Sequence, residues 1–249
     1  MLKRFLQQSV LAAKRRSLSS NSMFTRSLPG TAFVDPKLYE IERQHLLGPS
    51  WQLFGHESQF LSDSSNPPAT FVAETICGWP TIVVRSSKTG QFHAYHNVCR
   101  HKAGPLQWNN TAGACELNGL KCKYHGWAYS LDGRLVGVPS FCDSGEKLDR
   151  SEFNLWPMRV ALWRGLIFVQ TLPNSASDPY QGVSMTGDEA NAAFVRDNFE
   201  FCAHLSGSIH DNNDGSKSSI SGLPLEDFEF HSSNSHKIKC NWKVILWSI

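Results

Sequence analysis

From Thr70 to Gln170 the apolar residues fall into short β-branched or aromatic runs broken by turn residues, and this pattern predicts antiparallel strands. Thr70–Ile76, Thr81–Arg85 and Phe92–His96 are the first three, with Lys88-Thr89-Gly90 turning the chain between the last two. The same texture resumes from Gly126 to Val138 around an Asp132-Gly133 hairpin turn. Trp156–Trp163 and Leu166–Gln170, divided at Arg164-Gly165, form a further hairpin. Ahead of these strands the period lengthens. Asp35 is an N-cap in front of Pro36, Leu38, Ile41 and Leu46 are placed to face inward, and Gly48-Pro49 ends the helix. Trp51–Gly55 reads as a short strand.

Past Pro173 the pattern changes. Asp188–Leu205 has the spacing of a helix that buries Ala193, Phe194 and Phe201. The stretch 206–222 is rich in Ser, Gly, Asp and Asn and reads as a loop. Leu225–Phe230 and His236–Leu246 are expected as two strands around a Ser232-Ser233-Asn234 turn. The fold expected is mainly β: an antiparallel β domain over 67–172, preceded by a helical leader over 23–66 and followed by a further partial domain over 173–249.

Composition changes this picture at one end only. No acidic residue precedes Asp35, while Lys3, Arg4, Lys14, Arg15, Arg16 and Arg26 are basic and serines cluster at 17, 19, 20 and 22. With Leu2, Phe5, Leu6, Val10 and Leu11 at helical spacing, residues 1–22 carry the signature of an organelle transit peptide. Mitochondrial import is the expected address; a plastid or, for a merely basic tail, the cytoplasm are the alternatives. A net charge of +2 gives no field for nucleic acid, and no apolar run is long enough to span a membrane. Seven cysteines without a secretory signal do not suggest a disulfide framework.

The candidate chemistry lies in one stretch. Cys99-Arg100-His101 is Cys-x-His, and 20 residues later Cys122-Lys123-Tyr124-His125 is Cys-x-x-His. Two sulfurs and two imidazoles delivered in this way suit either a mononuclear zinc or a [2Fe–2S] cluster with two histidine ligands. The surroundings favour the cluster. Gly104-Pro105-Leu106 covers the first pair, and Gly126 directly after His125 lets the backbone turn its amides toward sulfur. Sulfur hydrogen bonds and water exclusion set a redox potential, and a structural zinc needs neither.

These residues resemble the Rieske non-haem iron oxygenases, the α-subunit family of aromatic-ring-hydroxylating dioxygenases that includes choline monooxygenase. The resemblance runs through Asn97-Val98-Cys99-Arg100-His101-Lys102, then Cys122-Lys123-Tyr124-His125-Gly126-Trp127, then Asp132-Gly133-Arg134-Leu135. It implies a Rieske β sandwich in which Cys99 and Cys122 hold one iron and His101 and His125 the other, with Pro105, Tyr124, Gly126 and Trp127 around them. The extra cysteine that respiratory Rieske proteins carry in each loop is missing here, which points to the oxygenase branch. The 20-residue gap is long for the family through Asn109-Asn110-Thr111-Ala112-Gly113, read as an extended loop, and Cys115 within it reads as a strand thiol.

The resemblance also implies a ferredoxin or NAD(P)H-dependent reductase as electron donor, for which Arg100, Lys102, Lys121 and Lys123 offer a basic docking rim, and a possible homotrimer. A mononuclear Fe(II) would follow Asn241-Trp242-Lys243 in a full-length form. The chain continues Val244-Ile245-Leu246-Trp247-Ser248-Ile249 instead, so the expectation is a cluster-bearing part of such an oxygenase, with a stand-alone electron carrier as the alternative. Asp227, His231 and His236 imitate the iron motif's spacing but are expected on a hairpin, as solvent-facing side chains.

Overall fold

The computed structural model describes residues 28–61, 68–116, 119–139, 148–172, 187–198, 225–233 and 238–247. The basic leader 1–22, the loop 206–222, Phe201 and His236 lie outside them. The chain divides into two compact units, one of Trp51–His231 and one of Met1–Ser50 with Ser232–Ile249.

The described residues of the larger unit form ten antiparallel strands: β1 (Gln52–His56), β2 (Thr70–Ile76), β3 (Trp79–Arg85), β4 (Phe92–His96), β5 (Thr111–Ala114), β6 (Gly119–Lys121), β7 (Ala128–Ser130), β8 (Leu135–Gly137), β9 (Pro157–Trp163) and β10 (Leu166–Gln170). Seven form one sheet in the order β1-β10-β9-β4-β3-β2-β5, and β6-β7-β8 form a second. Strand alternation decides what each face touches. Phe71 and Ala73 of β2, Ile82 and Val84 of β3 and Tyr95 of β4 meet Leu120, Tyr129 and Leu135 of the small sheet. The intervening Val72, Val83 and Ala94 join Phe54, Val160, Ile167 and Val169 in a second core. Phe54 and Val72 stand near opposite ends of the strand order, so the large sheet curls on itself to bring them together. Because β2, β3 and β4 are covered on both faces, they read as continuous apolar runs rather than alternating ones.

The helix Asp188–Asp197 packs Ala190 and Phe194 on Ala161 and Phe168, on the other face of β9 and β10. Phe194 stacks on Phe168 with ring centroids 4.2 Å apart. The stretch expected as an extended loop contains β5, which adds an edge strand through Thr70↔Ala114 to Ala73↔Thr111. Its Thr-Ala-Gly-Ala sequence carries little strand propensity. Pairing with β2 supplies what local preference does not.

In the smaller unit, Asp35 accepts a hydrogen bond from the Lys37 amide at 2.8 Å and starts the helix Pro36–Glu42, which a π-helical turn at Arg43–Leu47 extends. Leu38 and Leu46 are half-buried, but Ile41 is exposed. Leu38 and Glu42, four apart, share the inward face, and Ile41 falls off it. Glu42 takes both carboxylate oxygens to the Lys243 ammonium at 2.7 and 2.6 Å, and one accepts the Trp242 indole N–H at 3.0 Å. Trp242 and Lys243 open a helix, Trp242–Trp247, in place of the expected strand. Asn241 accepts from the Lys243 amide at 3.1 Å, an N-cap contact that starts helix where the Trp, Val and Ile content suggested strand. Leu225–Asp227 is likewise a 3₁₀ turn and not the beginning of a strand. No helix among the described residues is long and apolar enough to cross a membrane.

Candidate metal centre

Two loops deliver the four candidate ligands, and their backbones follow one plan. In the first, the Cys99 amide donates to the Gly104 carbonyl at 2.8 Å and the Ala103 amide to the Cys99 carbonyl at 3.0 Å. In the second, the Cys122 amide donates to the Trp127 carbonyl at 2.8 Å and the Gly126 amide to the Cys122 carbonyl at 3.0 Å. The fifth residue of each is left-handed, Ala103 at φ +54° and Gly126 at φ +76°. Each loop thus doubles back within six residues, with its cysteine at the start. Gly104 lets the loops approach, since a Cβ there would lie 3.3 Å from Tyr124 Cβ and 3.8 Å from Cys122 Sγ.

The thiols meet in the core and the imidazoles meet nearer its edge. Cys99 and Cys122 are 2% and 3% exposed and are neighbours in one core. The His101 and His125 rings are half-buried, with centroids 4.8 Å apart at 69°. The Cys99 sulfur also receives the His101 amide and lies 3.2 Å from the Tyr129 hydroxyl. That hydroxyl accepts from the Arg100 amide at 3.1 Å, so its own proton is free to point at sulfur. Cys122 Sγ is 3.8 Å from the Pro105 carbonyl. Burial pushes the Cys99 thiol up, with the nearby Cys122 adding to the shift while the Tyr129 and His101 donors oppose it. Burial together with the charges of His125 and Lys102 holds His101 below the ordinary histidine range. Without a metal, Cys99 therefore stays a thiol and His101 a neutral imidazole at pH 7, and loading a metal releases the Cys99 proton.

Does this donor set fit a [2Fe–2S] cluster? His101 Nδ1 is buried and has no hydrogen-bond partner among the described residues, as a nitrogen reserved for a metal would be. No three His, Cys, Asp or Glu side chains among the described residues gather as ligands for one ion. The donors come as a sulfur pair and a nitrogen pair, which is the arrangement a two-iron cluster takes with two ligands on each iron. The residues fit the group.

The remaining candidates separate by environment. Trp127 is buried and stacks on His101 with the planes 6° apart, and Phe153 meets the indole edge-on at 5.6 Å. Tyr124 is 66% exposed, its ring centroid 3.7 Å from that of His125. Lys102 and Lys121 are exposed, and Lys123 is paired with Glu116 at 2.8 Å. Arg100 turns inward: its guanidinium lies 4.4 Å over Trp156 and donates to the Asn154 carbonyl at 2.7 Å. Cys115 is buried in the same core as Cys99 and Cys122, with its thiol pushed up to about 12 by burial. Asp227 and His231 are exposed in the segment 225–233.

Two contributors went unassigned in the sequence. Tyr129 follows Trp127 by two, so alternation along β7 sends it to the same buried side. Asn97 is buried and organises the first loop: its Oδ1 accepts the Leu106 and Gln107 amides at 3.1 Å each, and its Nδ2 donates to the Gln107 carbonyl at 2.8 Å. Only its place just ahead of Cys99 hinted at this.

Comparison with known proteins agrees with this geometry. Residues 50–147 match the family model of the Rieske [2Fe–2S] domain. The chlorobenzene dioxygenase subunit alpha of Cupriavidus sp. (strain PS12) is 35% identical over 136 residues, which is 55% of this chain and 28% of that protein. The chloroplastic choline monooxygenase of Amaranthus tricolor is 29% identical over 155 residues, 62% of this chain and 32% of its own length. The apo form of the quaternary ammonium Rieske monooxygenase CntA shares the fold with a TM-score of 0.56 at 20% identity, over 73% of this chain and 45% of that one. The chain thus spans about a third of the length of these two curated relatives.

Proposed function

Because the chain carries a Rieske [2Fe–2S] domain and is homologous, over the part it spans, to the α subunits of Rieske non-haem iron oxygenases, we propose that it is the electron-relaying part of such an oxygenase. The observation that carries this is the pairing of Cys99 with Cys122 and of His101 with His125 on two like-built loops. Cys99 and Cys122 hold one iron as thiolates and His101 and His125 the other as neutral imidazoles. Bound there, the cluster supplies one-electron storage at a potential raised by the imidazole pair, since two ferric ions, two sulfides and two thiolates sum to a formal charge of about zero. The protein's own part is to keep water from the sulfurs with Pro105, Leu106 and Trp127, to aim the Tyr129 hydroxyl and the His101 amide at Cys99, and to leave the imidazole side within reach of a partner. Loading the full chain anaerobically with iron and sulfide should give acid-labile sulfide and a reduced-state EPR signal. Metal uptake without sulfide would overturn the reading.

The electron donor is an acidic ferredoxin or reductase that meets Lys102, Lys121 and Lys123, with Arg100 acting as a strut toward Trp156 rather than as part of the rim. Salt should therefore slow reduction steeply. Lys102→Glu and Lys121→Glu should slow it more than Lys123→Glu, because Glu116 already offsets Lys123. Reduction that ignores salt would refute electrostatic docking.

Beyond 172 lies the start of the catalytic domain, and a mononuclear Fe(II) downstream of Asn241-Trp242-Lys243 is where the electron would be used. The relatives point to aromatic rings or to quaternary ammonium compounds such as choline as the substrate class. A trimer is the assembly expected. For the basic leader, the chloroplastic relative favours the plastid over the mitochondrion.

A further inference from the structure

The geometry points to Trp127 as a positioning residue that holds His101 in its ligating orientation and keeps water from that side of the centre; this rests on the cluster reading above. Trp127 belongs to the second loop, where its carbonyl closes the turn by accepting the Cys122 amide. Its ring serves the first loop. The indole lies face to face with His101, centroids 4.8 Å apart and planes 6° from parallel, while Phe153 supports the indole edge-on at 78°. One residue therefore ties the backbone of one cysteine to the imidazole of the other loop. Trp127 is 4% exposed, and its Nε1 is buried without a hydrogen-bond partner among the described residues. A tryptophan placed only to fill the core would be expected to turn that N–H toward an acceptor. Here the stacked orientation is kept although the donor meets no acceptor among the described residues, so the stack is what the position favours.

The electrostatic consequence has a definite sign. An added electron leaves the site more negative, and water stabilises that charge better than an indole face does. Removing the indole admits water and should raise the midpoint potential.

The test uses the full chain, loaded anaerobically with iron and sulfide, as wild type and as Trp127→Leu, Trp127→Phe and Phe153→Leu. In Trp127→Leu the potential should rise, the anisotropy of the reduced-state EPR signal should change, and acid-labile sulfide should be lost to a chelator several-fold faster. Trp127→Phe, which keeps a stacking ring, should recover most of all three. Trp127→Leu with full sulfide content and a wild-type spectrum and potential would overturn the proposal, and so would Trp127→Phe behaving like Trp127→Leu. Should Trp127→Leu fail to load, Phe153→Leu decides. A smaller shift in the same direction supports the proposal, and an unmoved potential and spectrum refute it. A wild type that takes up no sulfide defeats the cluster reading itself, a result separable from all of these.

Discussion

The loop from Cys99 to Gly104 and the loop from Cys122 to Trp127 share a backbone plan but are held by different means. The first is built into the core. Asn97 pins Leu106 and Gln107 just past the loop's end with three hydrogen bonds, Tyr129 reaches both Cys99 and the Arg100 amide, and Arg100 is spread over Trp156. The second has fewer such props: Lys123 and Tyr124 face solvent, and Trp127 at its end is its main anchor. The left-handed position follows the same division. The first loop tolerates an alanine at φ +54° because its surroundings determine the turn, while the second uses a glycine at φ +76°. The difference teaches that one turn can be enforced from outside or permitted from within.

Substitution at the sulfurs should erase the difference. Cys99→Ser and Cys122→Ser each remove one of two thiolates on a single iron, so both should lose the cluster completely, whatever else holds their loops. Iron and acid-labile sulfide analysis checks this, and retention of the cluster by either variant would break the assignment. Next in size is Asn97→Ala. It leaves the Leu106 and Gln107 amides, which anchor the end of the first loop, without an acceptor and should cost about 3 kcal/mol in denaturant unfolding. The second loop has no counterpart of Asn97 among the described residues, so no single substitution there strips two backbone amides of a side-chain acceptor. An Asn97→Ala protein as stable as wild type would show that the first loop is not held from outside.

The conformational pair comes third. Gly126→Ala puts a Cβ at a left-handed residue and 3.3 Å from Pro139 Cγ, and should destabilise by about 1–2 kcal/mol. Ala103→Gly releases comparable strain but loosens the unfolded chain, so it should stay within about 1 kcal/mol of wild type. Thermal unfolding of the two variants reads the contrast directly. Equal and opposite shifts would mean that both loops rely on the residue itself.

Much of this was legible before any coordinates. The ranges Thr70–Ile76, Phe92–His96 and Leu166–Gln170 are strands as the run of β-branched and aromatic residues predicts, and Asp132-Gly133 and Arg164-Gly165 turn where expected. The strand β5 was not legible, because a Thr-Ala-Gly-Ala run becomes a strand only when β2 offers it an edge. Nor was the helix Trp242–Trp247, where a single Asn241 cap outweighs the strand preference of Trp, Val and Ile. At the site, ligand types and spacing are local and show in the sequence, whereas the partner of each side chain is not. Arg100 shows this well. As a charged residue between two ligands it reads as part of a docking rim, and only the fold brings Trp156 beneath it.

The smallest effect concerns a bond of the first loop that has no counterpart on the second among the described residues. Tyr129 donates to Cys99 Sγ while accepting from the Arg100 amide, whereas Cys122 Sγ faces the Pro105 carbonyl, an acceptor. A donor on a sulfur stabilises the more negative, reduced state, so it raises the potential. Tyr129→Phe keeps the ring and its packing and removes only the hydroxyl. It should hold a full complement of iron and sulfide, unfold within about 1 kcal/mol of wild type, and show a lower midpoint potential. The sign is opposite to that expected for Trp127→Leu, so the two variants separate a hydrogen bond to sulfur from a screen against water. If Tyr129→Phe left the potential unmoved, the hydroxyl would serve only to fix the Arg100 amide, and the two sulfurs would differ only by the His101 amide on Cys99.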